Sequence, residues 1–492
     1  MRRAGILMHI SSLPSPYGIG TLGRAAYEFV DFLAAAKQAY WQVLPISPTG
    51  FGDSPYQSPC GFGGNPYFID LDMLQKEGWL AEGELQLPRG EPDRVDYGRL
   101  YDTRYAVLRR ACARLSEAPP ADFFSFCEQE AGWLDDYALF MAFKTVYRAN
   151  AWRDFPEPVR LRTPDALRAA EIAHEAEIRF WKLLQYLFYK QWRALKAYAN
   201  ERGVSIIGDL PIYAAPDSAE VWARPELFLL DANLAPEFTA GCPPDAFNPD
   251  GQHWGNPLFD WTAMRGEGYA WWIRRLHHAA ALFDVTRIDH FRGFDSYYAI
   301  PAGRPDAKNG AWQAGPGMAL FDAASRALGP LRIIAEDLGF LTDAVRRLVS
   351  ESGYPGMRVL QFAFDGGGDN PYLPHNHDKN CVVYTGTHDN DTVAGWLETA
   401  PAEPAAYARA YLRLNQAEGE AWGFLKSVWA SPGDLAIVQM QDILGLKSEA
   451  RMNVPGTLGG NWAWRMTPGA CTPALAETLG TLMALYKREG GE

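Results

Sequence analysis

The chain has 492 residues, 48% of them hydrophobic and 21% charged, which suits a water-soluble globular protein with a large core in one elaborated unit or two domains. A formal charge of −13, with no long basic cluster, argues against nucleic acid or an anionic membrane surface as partner. The six cysteines, Cys60, Cys112, Cys127, Cys242, Cys381 and Cys471, lack the close pairing of zinc sites or redox motifs, so a reducing, cytoplasmic setting without a bound metal is expected.

Met1-Arg2-Arg3 is followed by an apolar run over 4–10 that is too short to cross a membrane and lacks a small-residue cleavage site, so it reads as a first strand. Seven further apolar, β-branched runs follow at 39–44, 204–210, 284–289, 331–336, 357–362, 381–385 and 435–439. Separated by helix-compatible stretches, they predict an α/β fold, a (β/α)8 TIM barrel over 1–492. The gaps between runs are uneven, which a barrel tolerates on its loop side. After strand two, 45–203 predicts a mainly helical inserted subdomain, because apolar residues recur at helical spacing in 133–147 and 169–199. After strand three, 211–283 predicts a smaller insertion carrying a shaped loop, 242–257, dense in Gly, Pro, Asn and Asp. Too little chain follows strand eight for a β-sandwich, and 473–487 is read as a closing helix.

Three of these runs end in acids: Val285 to Asp289, Arg332 to Glu336 and Val382 to Asp389. Barrel chemistry sits where strands end, so Asp289, Glu336 and Asp389 are the catalytic candidates. Asp289 and Glu336 close neighbouring strands about 4.8 Å apart, compatible with the carboxyl spacing of about 5–5.5 Å in retaining glycoside chemistry. Arg287 projects from the same face as Asp289 and is expected to keep it ionised, as a nucleophile requires. Glu336 then acts as the proton donor, its pKa raised by apolar cover and by repulsion from the other acids. Asp389 approaches from across the barrel to hold hydroxyls and stabilise positive charge. Taken singly, each acid could equally be a structural salt bridge or loop cap; their joint occurrence favours catalysis.

His290 and His388 adjoin two of the acids and suit hydrogen bonds to sugar hydroxyls; no His-Glu-x-x-His or comparable metal spacing is present. The chain also carries 17 Trp, 23 Tyr and 25 Phe, many in loop-like segments such as 50–67 and 243–261, where flat rings suit the C–H faces of sugars. About half of them are expected simply to pack loops onto the barrel.

Nearly the whole chain resembles the 4-α-glucanotransferases known as amylomaltases or disproportionating enzymes, glycoside hydrolase family 77 of the α-amylase superfamily. The resemblance rests on His9-Ile10-Ser11-Ser12-Leu13-Pro14, Ser54-Pro55-Tyr56-Gln57-Ser58, Gly63-Gly64-Asn65-Pro66-Tyr67, Gly208-Asp209-Leu210-Pro211-Ile212-Tyr213 and Gly255-Asn256-Pro257. It continues through Arg287-Ile288-Asp289-His290-Phe291-Arg292-Gly293, Ala335-Glu336-Asp337-Leu338-Gly339, Gly386-Thr387-His388-Asp389-Asn390 and Arg451-Met452-Asn453-Val454-Pro455-Gly456-Thr457.

The resemblance implies a cofactor-free retaining transferase with Asp289 as nucleophile, Glu336 as acid/base and Asp389 as transition-state stabiliser. It places Arg287, Asp209, His290, His388, Tyr56 and Asn453 along the donor subsites, and Gln252 and Trp254 on an acceptor-side loop, 245–254. Many relatives carry a tyrosine where this chain has Ala246, so acceptor contacts there are expected to differ or to pass to Phe247. The implied partners are maltodextrins, amylose or glycogen-derived 1,4-α-glucans with glucose or maltose as acceptors, handled by a monomer or weak homo-oligomer. An α-amylase-type hydrolase and a non-catalytic glucan-binding protein are the competing readings.

Overall fold

The computed structural model describes residues 2–85, 90–149, 151–244, 249–339 and 341–489. In chain order its strands are β1 (Arg3–Leu7), β2 (Tyr40–Gln42), β3 (Ser205–Leu210), β4 (Phe238–Cys242), β5 (Gln252–Pro257) and β6 (Val285–Ile288). They continue with β7 (Ser296–Pro301), β8 (Ala311–Ala314), β9 (Ile333–Ala335), β10 (Gly356–Val359), β11 (Cys381–Tyr384) and β12 (Leu435–Gln439). Eight close a barrel in the order β1-β12-β11-β10-β9-β6-β3-β2, with every barrel pair parallel. Each barrel strand lies beside its predecessor in sequence, the arrangement of a βα repeat. Every residue of β6, β9 and β11 is buried, which is why these strands read as unbroken apolar runs rather than alternating ones.

All eight expected strands are present in the expected order, and the differences lie at their ends. The run 357–362 splits: Gly356–Val359 is strand, and Leu360–Phe362 coils into a 3-10 turn. There the Gln361 side chain donates to the Asp391 carbonyl at 2.8 Å, a bond that draws the chain off the ladder. The run leading to Asp389 stops being strand at Tyr384, because Asn390 Oδ1 captures both the amide and the hydroxyl of Thr387 at 2.8 and 2.9 Å and turns the chain.

Between β2 and β3 lie the helices Leu71–Lys76, Tyr97–Glu117, Ala121–Tyr147, Glu157–Arg160, Pro164–Ala173 and Glu175–Glu201. Their starts follow local chemistry: Asp70 and Asp96 accept the Met73 and Arg99 amides, and Pro164 occupies a first turn that needs no N–H. Glu175–Glu201 lays Tyr186 and Tyr189 against Phe126 of Ala121–Tyr147 and reaches the barrel through Trp192 on Phe283, 5.9 Å between rings.

A second, antiparallel sheet in the order β5-β4-β7-β8 was not foreseen. The sequence reading treats 242–257 as a shaped loop only, yet β5 occupies its last six residues and pairs with β4, which pairs in turn with β7, and β7 with β8, both of which follow β6. All four residues of β8 are exposed, so nothing in its composition marks a strand. The sheet ties the segment carrying Gln252 and Trp254 to the chain leaving Asp289. Among the described residues no strand follows β12, and the chain closes with helix Pro473–Tyr486, whose start Thr472 caps. No helix is long and apolar enough to cross a membrane among the described residues.

Candidate active site

The floor of the site is a buried ion cluster on neighbouring strands β3 and β6. Asp209 and Arg287 face each other in register, and one guanidinium nitrogen lies 2.7 Å from both Asp209 oxygens. The other terminal nitrogen of Arg287 is 3.2 Å from Asp289 Oδ1, so one cation serves two carboxylates. Burial works against the charge on Arg287, and Asp209 and Asp289 more than reverse this. The Tyr56 hydroxyl donates to Asp209 Oδ2 at 2.8 Å. Burial, then the Asp209 charge, keep that phenol protonated and able to donate.

Asp289 and Glu336 are the first residues past β6 and β9, which pair with Ile288 opposite Ala335. They therefore leave adjacent strands at the same level. Between them His290 takes a left-handed backbone, φ 50° and ψ 47°. With this bend the His290 amide donates to Glu336 Oε2 at 2.6 Å, and the next amide, of Phe291, donates to the Glu336 carbonyl at 3.0 Å. The Leu338 amide supplies Oε1 at 3.0 Å. Behind the bend, Phe291 and Phe294 pack on Phe321 at 5.0 and 5.1 Å, fixing where the chain turns.

The electrostatics differ from expectation at Asp289. Burial raises its carboxyl to about 8; Arg287 opposes this, but repulsion from Glu336, Asp209 and Asp389 adds to it. Arg287 thus favours the ionised form without securing it alone, a correction to the expected role, and the reason is first the burial of Asp289 and then the neighbouring carboxylates. Burial also raises Glu336, against the pull of Arg287 and of the two amides on its oxygens. Its like-charge push comes from Asp337, the residue beside it. Asp289 and Glu336 therefore titrate as a pair.

Asp389 stands apart, its side chain 45% exposed. Its Oδ1 accepts Asn453 Nδ2 at 2.6 Å and lies 3.3 Å from His388 Nε2. The His388 ring stacks on Tyr56, with centroids 5.1 Å apart and planes 19° apart. Burial lowers the His388 pKa, and it lowers that of His290 to about 3, so both rings are neutral hydrogen-bonding groups. His290 meets the edge of Trp254 at 4.8 Å, and Trp254 Nε1 donates to Gln252 Oε1 at 3.0 Å. The structure thus gathers Tyr56, Asp209, Arg287, Asp289, His290, Glu336, His388, Asp389 and Asn453, with Gln252 and Trp254 on β5 beside His290. Ala246 and Phe247 lie outside the described residues.

Sequence reasoning gave no role to three side chains that hold this arrangement. Gln57 donates to the Trp254 carbonyl at 3.1 Å and to Asn256 Oδ1 at 3.0 Å, zipping the Tyr56 loop to β5. Trp462 packs on both Tyr56 and His388 at 5.7 Å, and Arg451 donates to the Asp389 carbonyl. Trp462 carried the signal used elsewhere, an aromatic in a Gly-rich loop; the other two stand in motifs quoted above, but they bond to backbone or to amide oxygen, which no residue pattern announces.

Known proteins agree with this geometry. A 4-alpha-glucanotransferase family profile, glycoside hydrolase family 77, matches residues 8–472. The 4-alpha-glucanotransferase of Thermus thermophilus is 48% identical over 483 residues, 96% of each chain, and that of Clostridium butyricum 45% over 485 residues, 98% of this chain and all of the relative. The solved amylomaltase of Streptococcus agalactiae in complex with acarbose superposes with a TM-score of 0.97 at 40% identity, covering 99% of this chain and all of that one. Similar to these proteins along almost its full length and built on the same fold, the chain belongs to the 4-alpha-glucanotransferases of glycoside hydrolase family 77.

Proposed function

We propose that this enzyme moves a segment of a 1,4-α-glucan onto the 4-hydroxyl of an acceptor glucan or glucose, with retention, through a glycosyl ester on Asp289. The observation that carries the reading is the level placement of Asp289 and Glu336 on adjacent strands, which suits attack and protonation at one glycosidic bond. Burial raises both carboxyls, that of Asp289 to about 8, and the two titrate together. Arg287 favours the charge on Asp289, whereas the His290 and Leu338 amides favour it on Glu336. A glycosidic oxygen arriving at Glu336 takes a hydrogen bond from the protonated form and so selects the productive state, with Asp289 charged.

Asp289 then attacks the anomeric carbon as Glu336 gives its proton to the leaving 4-oxygen, and the leaving glucan or glucose departs. Asp389 faces the positive charge that develops on the sugar ring. In the return step Glu336 takes the proton from the acceptor 4-hydroxyl, whose oxygen attacks the anomeric carbon of the glycosyl ester, forming the new glycosidic bond as the Asp289 carboxylate leaves. The rings of Trp254 and Tyr56, with the neutral His290 and His388, give the sugar apolar faces and hydrogen-bonding edges. His290 Nε2, buried without a hydrogen-bond partner among the described residues, is a ready contact for a hydroxyl. Maltodextrins and related 1,4-α-glucans in the cytoplasm are the proposed substrates, and the six cysteines, none in a disulfide among the described residues, suit such a reducing setting.

The test is incubation with maltotriose, following glucose, longer dextrins and total reducing ends. Transfer gives glucose and longer chains at constant reducing ends. A steady rise in reducing ends would replace this reading with α-amylase-type hydrolysis.

A further inference from the structure

Asp442 takes no part in the chemistry above, yet it lies directly behind it. It sits in the short helix Met440–Ile443 after β12 and is fully buried. Its Oδ2 accepts the Thr385 hydroxyl at 2.6 Å, and its Oδ1 accepts the Val393 amide at 2.7 Å. These donors mark the two ends of the turn that carries His388 and Asp389, since β11 stops at Tyr384 and the next helix begins at Val393.

Most other contacts of the turn reach one point of it, and Gln361 reaches two, its backbone amide also donating to the Thr385 carbonyl at 3.4 Å. Asn390 folds back on Thr387, Gln361 donates to the Asp391 carbonyl, Ser448 donates to Asp391 Oδ2 and Arg451 reaches the Asp389 carbonyl. Asp442 is the one side chain among these that bonds both Thr385 and Val393. Among the described residues no salt bridge joins it, so the fold keeps a buried carboxylate at substantial desolvation cost and gains two charge-assisted hydrogen bonds. Burial raises its carboxyl to about 6, against the pull of Thr385 and Val393.

We propose that Asp442 is a positioning residue for Asp389: by closing the 385–393 turn through one carboxylate, it sets the height at which Asp389 meets the sugar. The proposal rests on the reading of Asp389 as the charge-stabilising acid. Asp442→Asn keeps a near-identical shape, with an oxygen for the Val393 amide and an NH2 that donates to the Thr385 oxygen. Asp442→Leu fills the space and keeps neither bond.

The experiment measures steady-state transfer from maltotriose and fluoride release from α-glucosyl fluoride, whose departure needs no proton donor. Asp442→Leu is expected to lower kcat on both substrates about 30- to 100-fold with KM within about threefold, as a displaced catalytic group does. Asp442→Asn is expected to stay within about fivefold of the native enzyme, and Thr385→Val to lose about tenfold, since it removes one of the two bonds that close the turn. Glu336→Gln, in contrast, is expected to recover fluoride release.

Asp389→Asn separates the two claims. If it keeps full turnover, the role given to Asp389 fails and this proposal falls with it. If it is inactive while Asp442→Leu and Thr385→Val keep kcat within about twofold, Asp442 only fills space and the proposal alone is overturned. If Asp442→Leu does not fold, Thr385→Val decides in the same way: unchanged kcat overturns the proposal, and a drop in kcat at constant KM supports it.

Discussion

The two sides of the cleft are held by different means. Asp209, Arg287, Asp289 and Glu336 stand on, or one residue beyond, three neighbouring strands whose ladder bonds set their heights. Asp389 stands five residues beyond the end of β11, on a turn fixed by side chains from Asn390, Arg451, Asn453 and Asp442. In the strand-built wall Asp209, Arg287 and Glu336 are buried and the Asp289 side chain is 28% exposed, all crowded with charge, whereas the Asp389 carboxylate is half open to solvent. A strand wall fixes geometry at the expense of electrostatic tension, and a loop wall avoids the tension but depends on many single hydrogen bonds.

This contrast predicts how each side fails. Replacing Asp289 by Asn keeps the shape of the strand wall and removes the attacking charge, so kcat is expected to fall by about 10⁴-fold or more while the glucan still binds. Titrating the variant with maltotriose in a calorimeter, alongside turnover assays, checks both halves, and retained turnover would end the nucleophile assignment.

Arg287→Gln attacks the tension itself. It leaves Asp209 buried without its cation and is expected to cost about 3–5 kcal/mol of stability, read from a denaturant melt. In the surviving folded enzyme the sign of the pH effect follows from Arg287 lowering the Asp289 pKa: without it that pKa rises, and the acid limb of kcat/KM moves to higher pH. A limb that stays put or moves down would show that another group governs it. On the loop wall, Asn453→Ala deletes one donor to Asp389. A loss of about 10- to 100-fold in kcat is expected with stability nearly unchanged, the value of one hydrogen bond to a charged group. Were this variant to destabilise the protein as much as Arg287→Gln does, the contrast between the walls would not hold.

The same contrast explains what was legible from the residues alone. Barrel strands announce themselves because burial on both faces demands continuous apolar side chains, and acids directly after such runs are conspicuous. Asp289 and Glu336 could be paired because their strands are consecutive in the repeat. The sheet β5-β4-β7-β8 gave no such sign, since β8 faces solvent and its partners come from both sides of β6. Gln57 and Arg451 act through backbone carbonyls and an amide oxygen, which every sequence possesses, so their partners become visible only once the chain is folded. The charge balance at Asp289 was misjudged because the pattern showed one arginine beside one acid, and neither the burial of that acid nor the three further carboxylates converging from other strands and loops.

The backbone twist at His290 carries one more consequence. A side-chain-bearing residue in that conformation costs of order 1–3 kcal/mol, and the chain accepts this where glycine would be comfortable, so the imidazole itself must be worth the difference. Asparagine tolerates the same twist without offering a ring. The His290→Asn enzyme would therefore preserve the grip of the main chain on Glu336 while blinding the cleft to whatever the imidazole recognises, giving protein engineers a handle on which sugars are admitted that leaves proton transfer alone.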